Sequence, residues 1–265
     1  MPSLKSLILA ALRTWRHSWD SRRRRIYNQD LSFSAVVDTF KTADEVHAYM
    51  HHFYHHLLKR ELRQHRQFFR QNLRGFGEDA FHAMWWVLLR EFQPKKCLEI
   101  GVYRGQVVSL WALIGRLLPL QMSIHGISPF LPLGDGVSAY RADVSYLNDT
   151  LVSFKHWSLP APILIKALST DTAAQEHVAQ GNWDLIYIDG GHDFETALAD
   201  YQLCFRYLRP GGLLVLDDAS LGGEFHPPRY SFAGHPGPSR VAREYASQQM
   251  QFLGAVGHNN VFRKL

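Results

Sequence analysis

Trp183 to Ile188 is a mostly apolar run that stops at Asp189, with Gly190, Gly191 and His192 following at once. Gly212 to Leu216 repeats the pattern and stops at Asp217 and Asp218. Short apolar runs that end abruptly in carboxylates read as buried parallel strands whose C-terminal tips open into a site. If the two runs are neighbours, Asp189, Asp217 and Asp218 converge, with His192 one helical step away. Three carboxylates within a few ångströms repel one another, so a cation or shared protons must hold them. The spacing therefore asks for a metal and a base. The simpler alternative has Asp189 capping the helix that contains His192 and Asp217–Asp218 solvating a strand end. Four suitable groups at paired tips favour the site.

The elements that must carry these groups are legible on both sides. Cys97–Gly101 reads as a first strand that turns through Val102-Tyr103-Arg104-Gly105 into a helix reaching about Leu118, giving the pattern Glu-x-Gly-x-x-x-Gly. Its glycines allow a sharp turn and let a ligand approach the backbone at a helix N-terminus. A dinucleotide site would want Gly-x-Gly-x-x-Gly, and Tyr103 stands where the second glycine belongs. Met122–Ile127 is the second strand, ending at Ser128, and Pro162–Leu168 the third, ending at Ser169-Thr170-Asp171, with a helix expected over 144–154. Phe194, Leu198, Tyr201, Phe205 and Leu208 predict an amphipathic helix between the two acidic tips. Residues 219–238, rich in glycine and proline, form a long loop over the strand tips and a candidate lid. A helix over 239–249 and a tight hairpin turning at Gly257-His258-Asn259 complete the chain. His235 and His258 could reach the site from lid and hairpin, although a structural role is the simpler assignment for each.

The remaining chain is an extension of different character. Of the net +5, residues 1–75 carry 14 Lys/Arg against 6 Asp/Glu, a balance of +8, which leaves 76–265 at −3. The basicity thus says little about the substrate of the main domain. Leu4, Leu7, Ile8, Ala11, Leu12, Trp15 and Trp19 form one face of a basic amphipathic helix over 4–19. That helix could lie on an anionic membrane, contact a subunit or dock on its own domain. The Arg22–Arg25 run lacks interleaved aromatics, so no nucleic-acid partner is expected. Thr42-Ala43-Asp44-Glu45 is a capping box opening a long helix whose apolar side runs through Val46, Met50, Phe53 and Leu57 to Phe68 or Phe69. His47, His51 and His55 step by four along it, as do His52 and His56. Such pairs can bind a divalent metal, but no acidic or cysteine ligand accompanies them at matching spacing, so they read as exposed or partly packed side chains. Two cysteines, Cys97 and Cys204, imply no disulfide framework and a reducing, cytoplasmic setting. No apolar run approaches the roughly 20 residues that span a bilayer.

With these motifs in this order, residues 76–265 resemble the class I S-adenosylmethionine-dependent methyltransferases. That resemblance implies an α/β, Rossmann-like seven-stranded sheet, mostly parallel with a C-terminal antiparallel hairpin, here preceded by a helical N-terminal extension over 1–75. It implies that Glu99, Gly101, Tyr103 and Gly105 hold the methionine portion of S-adenosylmethionine and that Ser169 and Thr170 contact the adenine. Ser128 stands where many members carry an acidic residue for the ribose. The tips are most similar to the metal-dependent O-methyltransferases of the catechol and macrolide-sugar types, implying Asp189, Asp217 and Asp218 as Mg²⁺ ligands, with Asp189 also beside the cofactor. His192, three residues after the first ligand, matches the base of the sugar type. An aliphatic alcohol is a poor nucleophile at neutral pH. A metal on its oxygen lowers its pKa, a histidine can take the proton, and binding sets the line of attack. Magnesium suits an all-oxygen site. The expected acceptor is a small hydroxylated molecule, a sugar hydroxyl first; a homo-oligomer is compatible with this reading. Nucleic-acid N-methyltransferases typically carry Asn/Asp-Pro-Pro-aromatic where this chain has Asp189-Gly190-Gly191-His192, and a hydride-transfer enzyme is disfavoured by Tyr103. A non-catalytic cofactor-binding scaffold is the alternative outside enzymology.

Overall fold

The computed structural model describes residues 25–132 and 140–265. The expected basic helix over 4–19 and Arg22–Arg24 lie outside the described residues. Seven strands form one sheet: β1 (Lys96–Ile100), β2 (Ser123–Ser128), β3 (Ile163–Lys166), β4 (Trp183–Ile188), β5 (Leu208–Leu216), β6 (Met250–Val256) and β7 (Asn259–Lys264). Their order is β3-β2-β1-β4-β5-β7-β6, with β1 to β5 parallel and β7 antiparallel to both β5 and β6. The order reverses between β1 and β4, and the crevice outside such a switch point is where open α/β sheets bind ligands.

The sheet is covered on both faces, which is why its central strands are apolar throughout rather than alternating. On β4, Leu185 and Tyr187 face one core and Ile186 and Ile188 the other. The second core is closed by α7 (Thr172–Ala179), α8 (Phe194–Tyr207) and α9 (Pro236–Val241), which continues through a π-helical turn to Gln249. Trp183, fully buried at the start of β4, donates its indole N–H to the Val178 carbonyl at the end of α7 (2.9 Å).

The first core is closed by α5 (Gln106–Leu117), α6 (Tyr146–His156) and four N-terminal helices: α1 (Phe33–Thr39), α2 (Ala43–His56), α3 (Arg60–Arg70) and α4 (Asp79–Phe92). Phe33, Tyr49, Met50 and Phe53 are at most 1% exposed and belong to the same apolar cluster as Leu185 and Val215 of the sheet. Burial on this scale stabilises by about 1.5–3 kcal/mol per large side chain. Thr42 caps α2 by accepting from the Glu45 amide (3.3 Å), as the capping box predicts.

The long helix expected from residue 42 to Phe68 or Phe69 is in fact two. The amides of Leu57 and Leu58 both bond the Phe53 carbonyl, and Lys59 is extended before α3 begins. Neither glycine nor proline marks the break. The turn swings α3 so that Leu62, His65 and Phe69 are buried, a tertiary gain that local pattern does not encode. Among the described residues, no helix is long and apolar enough to cross a membrane.

Candidate active site

Asp189 follows the last residue of β4, and its amide bonds the Ile100 carbonyl of β1 (2.8 Å); Asp217 follows β5, and its amide bonds the Ile188 carbonyl (3.0 Å). Strand pairing thus carries the acidic tips side by side, as their sequence suggested. Gly101, with φ +100°, lets β1 turn away beneath them: a Cβ there would lie 1.8 Å from the Asp189 carbonyl oxygen. Gly105, with φ +82°, is the N-cap of α5. The carboxylate of Glu99 accepts the Val108 amide in the first turn of that helix (3.1 Å), where the helix dipole favours negative charge.

These groups open into one cavity of about 600 Å³, within the range of sites for small ligands and cofactors. Glu99, Gly101, Tyr103, Asp189, His192, Asp217 and Asp218 line it together. Ser128, Ser169 and Thr170 do not line it, and Gly105 stands behind it as the helix cap. Ser128 accepts the Phe130 amide with its own hydroxyl (3.3 Å), and Thr170 is exposed at the β3 end.

Burial and charge drive the carboxylates apart. Burial, then the charges of Asp217 and Asp218, push Asp189 well above the usual carboxylate range. Burial, less the Val108 hydrogen bond, pushes Glu99 up to about 8. Burial would raise Asp218 too, but hydrogen bonds from His192 and His258 outweigh it and hold this carboxyl below its ordinary value. His192 Nε2 lies 2.7 Å from Asp218 Oδ2, giving the expected base a carboxylate that orients its ring. The His235 ring stands 4.3 Å from that of His192, and its Nε2 is 3.7 Å from Asp218 Oδ2.

His258 has a larger part than the sequence assigned it. Its Nδ1 donates toward Asp217 Oδ1 (2.9 Å) and Asp218 Oδ1 (3.0 Å). Burial works against its charge, but the two aspartates prevail and push it up to about 10. The imidazolium supplies part of the positive charge the cluster requires. The signal was in the hairpin register: β7 pairs Asn260 with Leu216, which sets residue 258 beside the residues just past β5. Glu78, Gln106 and Arg229 also line the cavity. None follows from strand logic, because they come from the N-terminal helices, the first turn of α5 and the lid.

The lid over 219–235 is docked rather than free. Ala219 and Gly234 form a β-bridge at its base, the His235 amide bonds the Asp218 carbonyl (2.9 Å), and the Ser220 amide bonds that of Ala233 (3.0 Å). Its middle rests on α2: buried Phe225 lies against His47, and the His226 amide donates to Asp44 (2.7 Å).

Residues 98–219 match a family model described as "Methyltransferase domain". No curated protein is matched by the sequence. Among solved structures, the O-methyltransferase from Bacillus cereus in complex with SAH is similar at 16% identity and a TM-score of 0.56, over 83% of this chain and 98% of that one. The SAH-bound Podospora anserina methyltransferase PaMTH1 is similar at 14% identity and a TM-score of 0.55, over 78% and 89%. TomG from Streptomyces achromogenes, an O-methyltransferase involved in tomaymycin synthesis, in complex with SAM, is similar at 19% identity and a TM-score of 0.51, over 83% and 94%. Residues 98–219 thus match the methyltransferase-domain model, and the seven-stranded sheet around them has the Rossmann-like fold of the methyltransferases to which it is similar.

Proposed function

We propose that the chain transfers the methyl group of S-adenosylmethionine to a hydroxyl oxygen of a small molecule, with His192 as base and Mg²⁺ held by Asp189, Asp217 and Asp218. The observation that carries this reading is the 2.7 Å His192–Asp218 contact inside the same cavity as the Gly101 turn and the buried carboxylate of Asp189. Structurally similar proteins named as O-methyltransferases support transfer to oxygen.

The donor set fits a hard divalent ion. Asp189 and Asp217 offer carboxylate oxygens, and burial, then the charges of Asp217 and Asp218, raise Asp189, a cost that a bound cation would relieve. Asp218 uses both oxygens toward histidines, yet each carboxylate oxygen has a second lone pair available for ligation. When bound, the ion would lower the pKa of the acceptor hydroxyl. Asp218 fixes the orientation of the His192 ring through Nε2, and that ring would take the acceptor proton.

A sugar hydroxyl, on a glycoside or other natural product, is the acceptor we assign first, on the resemblance of the His192 position to the sugar-type enzymes. Aromatic walls formed by Phe76, Tyr103, Trp85 and Phe232 make a phenolic acceptor the second candidate. Calorimetric titration of S-adenosylmethionine with and without Mg²⁺, followed by methyl-transfer assays on glycosides and catechols, tests the proposal. Turnover that requires Mg²⁺, stops with chelator and vanishes in Asp189→Ala is expected. Cofactor binding with no turnover on any hydroxylated acceptor would overturn it.

A further inference from the structure

The histidine ladder of α2 gains in three dimensions the acidic ligand that it lacks in sequence. His51 and His55, one turn apart, bring their ring centroids within 4.6 Å, tilted at 53°, and Asp79, the first residue of α4, brings Oδ2 to 3.4 Å from His55 Nε2. One donor atom from each of the three residues lies within 4.8 Å of the others. Two ligands on a tetrahedral zinc ion with Zn–N bonds of about 2.0 Å stand about 3.3 Å apart. We propose that His51, His55 and Asp79 form a zinc site, separate from the catalytic cavity, that clamps α2 to the start of α4.

The surroundings suit a ligand set. Arg66, buried between the helices, donates Nε to Asp79 Oδ1 (3.2 Å), leaving Oδ2 turned toward the histidines. This is the outer-shell support that orients ligating carboxylates. Arg70 is the competitor, with Nη1 3.9 Å from Asp79 Oδ2, but its side chain is 61% exposed and can swing into solvent. Two imidazoles and one carboxylate suit zinc better than magnesium. The fourth position would belong to water. The lid ring of Tyr230 lies 5.3 Å from that of His51, so the ion would also fix the surface on which the lid rests.

The test is equilibrium dialysis of the untagged full-length chain against Zn²⁺ in excess Mg²⁺, with Co²⁺ substituted as an optical probe of geometry. One tightly held equivalent and a tetrahedral Co²⁺ visible spectrum are expected. His55→Ala and His51→Ala should each weaken Zn²⁺ binding at least about tenfold. The double variant His52→Ala/His56→Ala, whose paired rings (4.2 Å) share the helix but not Asp79, should bind as wild type does. His55 is 44% exposed, so its loss leaves the fold in place, as circular dichroism would verify. Unchanged binding in His55→Ala, equal loss in the double variant, or no retained zinc overturns the site.

Discussion

Asp189 and Asp218 stand at the tips of adjacent strands, yet their surroundings send them in opposite directions. Burial and like charge raise the first, and two histidines lower the second. On the proposed mechanism such separation divides the roles: Asp218 stays ionised and orients His192, and Asp189 would take up the cation. His192→Ala should therefore lower kcat by about 10²- to 10⁴-fold while cofactor affinity stays near wild type, which single-turnover assays and calorimetry would separate. A second residue reports through stability. Asp200 on α8 is buried and has an unpartnered Oδ2, and burial, eased by a hydrogen bond from Ser169 and reinforced by the charge of Asp193, pushes it up to about 6. A folded-state pKa above the unfolded value contributes stability that is complete below about pH 4 and lost as pH rises through 6. Asp200→Asn should thus melt above wild type at pH 8, by about 2 kcal/mol, and the gap should close toward pH 4. At this scale the sequence showed the acidic tips and His192 because strand ends are marked by abrupt changes of polarity. It could not show Asp200 or Glu78, whose importance comes from what packs against them.

At the scale of elements, the β1 turn and the β4 tip are one construction. Gly101 lies under the Asp189 carbonyl, so a methyl group there must move the strand end that presents the acid. Gly101→Ala should abolish cofactor binding and lower Tm by at least about 5 °C, measured by calorimetry and thermal melts. This turn was readable because a positive φ and a close backbone approach both demand glycine. The strands were readable too, from their length and apolar continuity. The break between α2 and α3 was not: no residue at 57–59 forbids helix, and only the burial of Leu62, His65 and Phe69 rewards the turn. The lid was recognisable as a loop from its glycine and proline content, but its docking on α2 depends on contacts such as Phe225 with His47, more than 170 residues apart.

For the whole molecule, the helices before residue 75 share their apolar core with the sheet. A chain beginning at residue 75 would expose the faces of α4 and β6 that α1, α2 and α3 cover. It should be insoluble or lack a cooperative thermal transition, which solubility and circular dichroism would show. Polarity and charge in the sequence set residues 1–75 apart as an extension, because its surface is basic. Charge reports what faces water, whereas the side chains that join the extension to the sheet are among its least exposed.

The bridge between Ala219 and Gly234, with the bonds from Ser220 and His235 beside it, brings the two ends of the lid together on Asp218, which holds the His192 ring. A segment whose ends are already pinned can change length or composition at little entropic expense, since closure cost grows only slowly with loop size. Residues 221–232 are therefore a cassette: exchanging them for another sequence would alter which acceptors enter while leaving Asp217, Asp218 and His192 where they are. On the proposed function, acceptor choice could then be redesigned, or drift, separately from the residues at the strand tips.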